Sequence, residues 1–225
     1  MAAHILDNPI WNSLVTSHSQ FSTGGDLAKR YPAEIGPFIG VPEISPASFA
    51  ELGKLIQPGE LWYLVGLEEP FPTDLTIEHH EPITQMVAAQ RPTVKDIGRK
   101  VKVLSEADIG DMLELIDLTF PGYFRPQTYR LGTYLGIRDN GKLVAMAGER
   151  MAMTGYREVS AVCTHPDHRG HGYANHLMAR LVNKMLDEGI TPFLHVDIDN
   201  AKAKRVYEKL GFVERRDMPL KAVSR

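Results

Sequence analysis

The stretch Arg157-Glu-Val-Ser-Ala-Val-Cys-Thr-His-Pro-Asp-His-Arg-Gly-His-Gly-Tyr-Ala174 decides how this chain is read. Arg157 to Thr164 has the composition of a strand, and alternation puts Glu158, Ser160, Val162 and Thr164 on one face. Gly170 and Gly172 follow, and glycines let a backbone turn and approach a ligand closely. Beyond them Ala174, Leu177, Met178, Leu181, Val182, Met185 and Leu186 recur at helical spacing, and Gly189 stops the helix. A helix that begins at a glycine loop offers unpaired N–H groups and the positive end of its dipole. With Arg169 beside it, that start suits a pyrophosphate. The glycines alone also fit an ordinary turn. The loop is not the dinucleotide fingerprint, whose third glycine is missing, and it is not a P-loop, because no Gly-Lys-Ser/Thr follows.

Outward from this stretch, strands and helices alternate. Val101 to Leu104 reads as a strand. Ser105 then caps a helix with the apolar stripe Ile109, Met112, Leu113 and Ile116. Thr133 to Arg138 and Leu143 to Met151 are strands joined by the turn Asp139-Asn140-Gly141-Lys142. Downstream, Phe193 to Ile198 is a strand. Asn200 caps a short helix with Ala203, Val206, Tyr207 and Leu210 inward, and Phe212 begins a last strand. That order is α/β. The first hundred residues read more loosely. Ala47 to Ile56 suits a helix capped by Ser45, and Leu61 to Leu67 and Thr84 to Ala89 suit strands. Gln90 to Lys100 reads as a linker, so a boundary is expected near residue 98, between a region over 1–98 and a domain over 99–225.

The 225 residues are 43% hydrophobic and 24% charged, an ordinary globular mix that excludes long-range disorder. A net charge of -3 argues against a generally basic nucleic-acid binder. The single cysteine, Cys163, excludes an intrachain disulfide framework and a Cys-based zinc site, and it suits a reducing cytoplasm. No apolar run approaches the ~18 residues of a membrane helix. Met1 to Trp11 lacks the basic start and apolar core of a signal peptide. A cytoplasmic protein with no nucleic-acid and no membrane partner is expected.

The segment Arg169-Gly170-His171-Gly172-Tyr173-Ala174 fits the pattern Arg/Gln-x-x-Gly-x-Gly/Ala, and Asn200, Ala203, Tyr207, Gly211 and Phe212 follow in the order Asn, Ala, Tyr, Gly-Phe. In these residues the sequence resembles the GNAT superfamily of acyl-CoA-dependent N-acyltransferases over about residues 99 to 225. Ser160 to Ala174, with Phe193-Leu-His-Val-Asp197, is most similar to the branch containing glycine N-acyltransferase-like proteins. The resemblance implies a GNAT fold: a mixed central sheet flanked by helices, here with an additional N-terminal α/β region. Residues 1–98 are then a degenerate GNAT-like half or a lid. It further implies acetyl-CoA as the acyl donor. The main chain of Val162, Cys163 and Thr164 would pair with the pantetheine arm. Arg169, Gly170, His171, Gly172, Tyr173 and Ala174 would hold the pyrophosphate, Asn200 would meet the pantetheine, and Tyr207 would protonate the departing thiolate. Taken without the resemblance, Asn200 is a helix cap and Tyr207 a core aromatic.

The expected function is an N-acetyltransferase that passes an acetyl group to a primary amine of a small molecule or a protein, by direct attack in a ternary complex. The alternative is a CoA-binding regulatory module without turnover. Amine attack needs a proton acceptor. Glu158 is the first candidate, Glu149 the second and His165 the third. Of nine histidines, His165, His168, His171 and His176 crowd one segment. Imidazole is a common metal ligand, but the loop is expected to wrap phosphates and lacks a helical i, i+4 pair, so no metal is expected. His79-His80-Glu81 is expected in a loop before Pro82. Cys163 is read as a strand residue beside CoA. Pro121 to Tyr129, with Tyr123, Phe124 and Tyr129, is expected to line the acceptor side. The oligomeric state is open, a homodimer among the options.

Overall fold

One mixed sheet of eight strands carries the molecule, and its helices cover both faces. The computed structural model describes residues 4–119 and 121–225, so the first three residues of the Met1–Trp11 reading lie outside the described residues. The chain begins with α1 (Pro9–Val15), a small sheet of two-residue strands β1 (Thr23–Gly24), β2 (Lys29–Arg30) and β3 (Ile39–Gly40), and α2 (Pro46–Leu55). It continues through β4 (Leu61–Val65), β5 (Thr76–Ala88), β6 (Val101–Leu104), α3 (Ile109–Thr119), β7 (Tyr134–Asp139), β8 (Lys142–Met153) and β9 (Tyr156–Thr164). It ends with α4 (Tyr173–Asp187), β10 (Thr191–Asp197), α5 (Ala201–Lys209) and β11 (Phe212–Ser224). The large sheet has the order β4-β11-β5-β10-β9-β8-β7-β6. Only β9 and β10 run parallel; the other neighbours are antiparallel.

Local signals position several of these elements. Ser45 Oγ accepts from Ser48 N–H at 3.1 Å, and Asn200 Oδ1 accepts from Ala203 N–H at 3.1 Å, so each caps its helix as its residue type predicts. The apolar stripe of α4 packs with β7, β8, β9 and β10 in the largest core, where Leu177, Leu181, Val182 and Met185 are fully buried. Fully burying each such side chain contributes roughly 1.5–3 kcal/mol.

Residues 1–98 are woven into the same sheet. β5 lies between β10 and β11, and β4 is the outer neighbour of β11. The boundary expected near residue 98 falls in the connection between β5 and β6. That connection lies along α4: His176 Nδ1 meets the Lys95 carbonyl at 2.7 Å, and Asn183 Nδ2 donates to the Pro92 carbonyl at 3.1 Å. His79-His80-Glu81 is not a loop, as expected from Pro82, but part of β5. Pro82 is tolerated because β10 reaches only to Ile83 and the ladder to β11 shifts register there, so its missing N–H falls at an irregularity.

Helix α1 closes over a break in β8. Between its pairs with Val159 and Arg157, β8 carries one extra residue, and the freed main chain of Ala152 turns to Ser13. Ser13 Oγ donates to the Ala152 carbonyl at 2.8 Å and accepts from its N–H at 3.2 Å. Tyr31 Oη lies 2.7 Å from Ser13 Oγ and 2.9 Å from His18 Nδ1. Burial disfavours the charged imidazole and pushes the pKa of His18 down to about 4, against an ordinary 6.5. Below pH 6.5 the unfolded chain therefore takes up a proton that the folded chain refuses. The stability is complete above pH 6.5 and is lost as the pH falls toward 4. Between pH 7 and pH 4.5, urea unfolding should show about 2–3 kcal/mol more loss for the wild type than for His18→Gln. Parallel losses in the two proteins would rule this site out as the cause.

Candidate active site

The sheet opens between β9 and β10. They pair only at Thr191–Tyr156, Pro192–Arg157 and Phe193–Glu158. Beyond that, β9 follows β8 to Thr164 while β10 follows β5 to Asp197, leaving a wedge between them. A bulge accompanies the split: Ala161 has φ 51, and β9 holds one more residue than β8 between the Gly148–Ser160 and Met146–Cys163 pairs. The bulge corrects the single-face reading of Glu158, Ser160, Val162 and Thr164. Val162 joins Val159 against the α4 core, while Ala161 and Cys163 pack toward α3. Cys163 is buried, and burial pushes its thiol up to about 11, so it stays protonated and inert at neutral pH.

At the far end of β9 the glycine loop meets α4. Gly170 and Gly172 have φ 84 and 75, and a Cβ at either would meet no protein atom within 4 Å. Gly172 is the N-cap and supplies no side-chain cap; the first intrahelical bond runs from His176 N–H to its carbonyl at 3.0 Å. The amides at the helix start are thus open to an anion. Arg169 and His171 are exposed beside them, and Tyr173 is buried in the α4 core, so its ring anchors the loop. His171 stacks on Tyr173 with ring centres 5.5 Å apart. His165 Nδ1 accepts from Asp167 N–H at 3.3 Å. Among the described residues no group of three or more His, Cys, Asp or Glu is placed to hold a metal ion. Nor, among them, is any helix long and apolar enough to cross a membrane.

On the α5 side of the wedge, Tyr207 is half-buried against the α4 core and Phe212, and Asn200 is exposed at the start of α5. Burial, helped by the Asp197 carboxylate, pushes Tyr207 up to about 12. Burial, helped by Tyr63 beside it, pushes Tyr123 up to about 12.

The three candidate bases are placed very differently. Glu158 is fully buried, and Arg150 grips it with two bonds, Nε at 2.7 Å and Nη2 at 2.6 Å. His195 Nδ1 sits 2.8 Å from Glu158 Oε1, the same oxygen that Arg150 Nη2 reaches. Burial alone would raise its pKa, but the Arg150 charge and these hydrogen bonds outweigh burial and hold it well below the usual carboxylate range. Such a carboxylate binds a proton poorly and positions its neighbours instead. Glu149 faces α4, bonded to Lys184 Nζ at 3.1 Å and to Thr133 N–H at 3.0 Å. It lines a separate cleft of about 450 Å³ near the α4 C-terminus, with His18, Arg130 and Arg157. His165 remains in the loop.

Sequence reasoning missed Arg150 and the wall around it. The Arg150 guanidinium lies 4.9 Å from the Phe38 ring; Phe38 stacks on Tyr123, and Tyr123 meets Tyr63 with ring centres 4.9 Å apart. Of the aromatics expected to line the acceptor side, Phe124 and Tyr129 instead pack in the α3 core. One signal was readable: Arg150 and Glu158 are opposite charges on strands of one tight hairpin, at nearly facing positions.

Comparisons follow this geometry. Residues 134–219 match the family described as FR47-like protein. A GNAT-family protein of known structure from Novosphingobium aromaticivorans is 36% identical, with 99% of each chain covered and a TM-score of 0.90. A GCN5-related N-acetyltransferase from Kribbella flavida shares the fold at 18% identity, covering 97% of this chain and 94% of that one, with a TM-score of 0.61. The curated mycothiol acetyltransferase of Brachybacterium faecium is 41% identical over 70 residues, which are 30% of this chain. The match spans 21% of that relative's own length.

Proposed function

Because the chain belongs to the GNAT family, we propose that it is an acyl-CoA-dependent N-acyltransferase that passes an acetyl group from acetyl-CoA to a primary amine by direct attack in a ternary complex. The observation that carries this reading is the wedge between β9 and β10 leading from the Ala161 bulge to the open start of α4. The wedge suits the pantetheine arm, with main chain of Val162, Cys163 and Thr164 along one wall. The loop from Arg169 through Gly170, His171, Gly172 and Tyr173 to Ala174 suits the pyrophosphate. Asn200 borders the other wall. Within the family, Ser160 to Ala174 with Phe193 to Asp197 supports placement near the glycine N-acyltransferase-like branch.

The chemistry balances simply. The neutral amine attacks the thioester carbonyl carbon, the C–S bond breaks, and the thiolate leaves with the electron pair. Tyr207, protonated at neutral pH, supplies the thiolate with its proton. The amine's surplus proton leaves through water. Glu158 contributes as an anchored carboxylate that orients Arg150 and His195. From residues 1–98, Phe38 and Tyr63 join Tyr123 on the acceptor side. Small-molecule amines and protein amino groups both remain in the acceptor class.

Free thiol released from acetyl-CoA over an amine panel tests the activity, and calorimetry tests CoA binding. Tyr207→Phe should lower kcat about 100-fold with CoA affinity within twofold of wild type. Equal loss of both would assign Tyr207 to packing. One observation favours the regulatory alternative: Glu158 is no free base. CoA binding without thiol release on any amine would establish it.

A further inference from the structure

Tyr134, the first residue of β7, is 1% exposed, and its hydroxyl has no hydrogen-bond partner among the described residues. A buried, unpaired hydroxyl costs about 1–3 kcal/mol, so its presence calls for an explanation. Its position supplies one. Tyr134 pairs with Gly148 on β8, and Gly148 pairs with Ser160 on β9, so the three form one rung across the sheet. The Tyr134 ring crosses over Gly148: a Cβ there would lie 2.1 Å from Cε1 and 2.6 Å from Cζ. Only glycine leaves room for that crossing. The ring rests edge-on against Phe124, with centres 5.7 Å apart, and shares its core with Ala161 and Cys163. The ring therefore extends from β7 across β8 toward β9, on the face that carries the Ala161 bulge. Burial raises its pKa, so it remains an O–H donor at neutral pH.

We propose that Tyr134 is a further catalytic residue, whose O–H donates a hydrogen bond to the acyl carbonyl oxygen during transfer. The inference rests on the transferase reading above. As the amine nitrogen bonds to the carbonyl carbon, the C=O π pair moves onto oxygen. It returns when the C–S bond breaks and the thiolate leaves with its pair. Tyr134 keeps its proton throughout and stabilises the charge that builds on oxygen. A donor held in place, with no competing acceptor, needs no reorganisation to do this.

Tyr134→Phe removes the oxygen alone. The expected result is a kcat lowered about 100-fold, an unchanged Kd for CoA, and a melting temperature equal to or above that of wild type, since an unsatisfied group has been removed. Acetyl-CoA binding gives a readout that needs no acceptor. The wild type should bind acetyl-CoA more tightly than CoA, and the variant should lose that preference. Unchanged kcat, or an unchanged ratio of the two affinities, overturns the role of Tyr134 and leaves the transferase reading standing. A wild-type protein that binds neither ligand overturns both.

Discussion

Gly172→Val is expected to weaken CoA binding at least 100-fold while the protein stays folded. Two effects combine. Gly172 has φ 75, a conformation that costs an ordinary L-residue roughly 1–2 kcal/mol and a β-branched one more. In a chain of this size each kcal/mol lowers the melting temperature by roughly 2–4 °C, so the folded state survives. The second effect decides binding. A Cβ at Gly172 meets no protein atom within 4 Å, so the isopropyl group takes up open space at the N-cap of α4, where the backbone must be bare for close approach. In the proposed function that space holds the pyrophosphate. Gly155→Val provides the control. Gly155 has φ 78 and equally open surroundings, but it lies in the turn between β8 and β9, bonded to Thr191 beyond the far end of α4 and away from its start. It should show the same thermal loss with normal CoA binding by calorimetry. Normal CoA affinity in Gly172→Val would place the donor elsewhere.

What could be read from sequence was what local chemistry writes. The stripe of α4, the caps Ser45 and Asn200, and the glycine loop each depend on residues within one or two turns of each other. The same holds for the α/β order itself. What escaped depends on distant partners. The residue pattern starts β5 at Thr84, because His79 to Pro82 looks like a loop, yet β11 pairs with it as far back as Thr76. The bulge at Ala161 has no signature, since alanine is not a residue that favours positive φ. One inserted residue then shifts Val162 to the other face. Glu158 stands first among the candidate bases because a sequence shows the carboxylate and not the guanidinium that folds onto it. The aromatic wall beside Arg150 draws Phe38 and Tyr63 from the first hundred residues and Tyr123 from beyond α3, a juxtaposition that only the sheet order creates.

Arg150→Met should be the most destabilising single change at the site. Glu158 is fully buried, and Arg150 provides two of its hydrogen bonds and its counter-charge. Removing one partner of a buried pair leaves an uncompensated charge and costs about 3–5 kcal/mol. The melting temperature should fall by roughly 10 °C at pH 7. Arg150→Met/Glu158→Gln should recover much of the loss, because an amide is cheaper to bury than an unpaired carboxylate, and the cycle measures the coupling. The pH dependence separates charge from packing. In the wild type the Glu158 pKa is depressed below its ordinary 4.5, so its contribution is present above pH 4.5 and is lost as the pH falls below it. In Arg150→Met burial dominates, and the Glu158 carboxyl takes up a proton more readily than it does in the unfolded chain. That proton cancels the buried charge. The variant therefore gains stability on acidification, and the gap from wild type should narrow steadily from pH 7 to pH 5. A gap independent of pH would mean that Arg150 acts through its stacking on Phe38 and not through its charge.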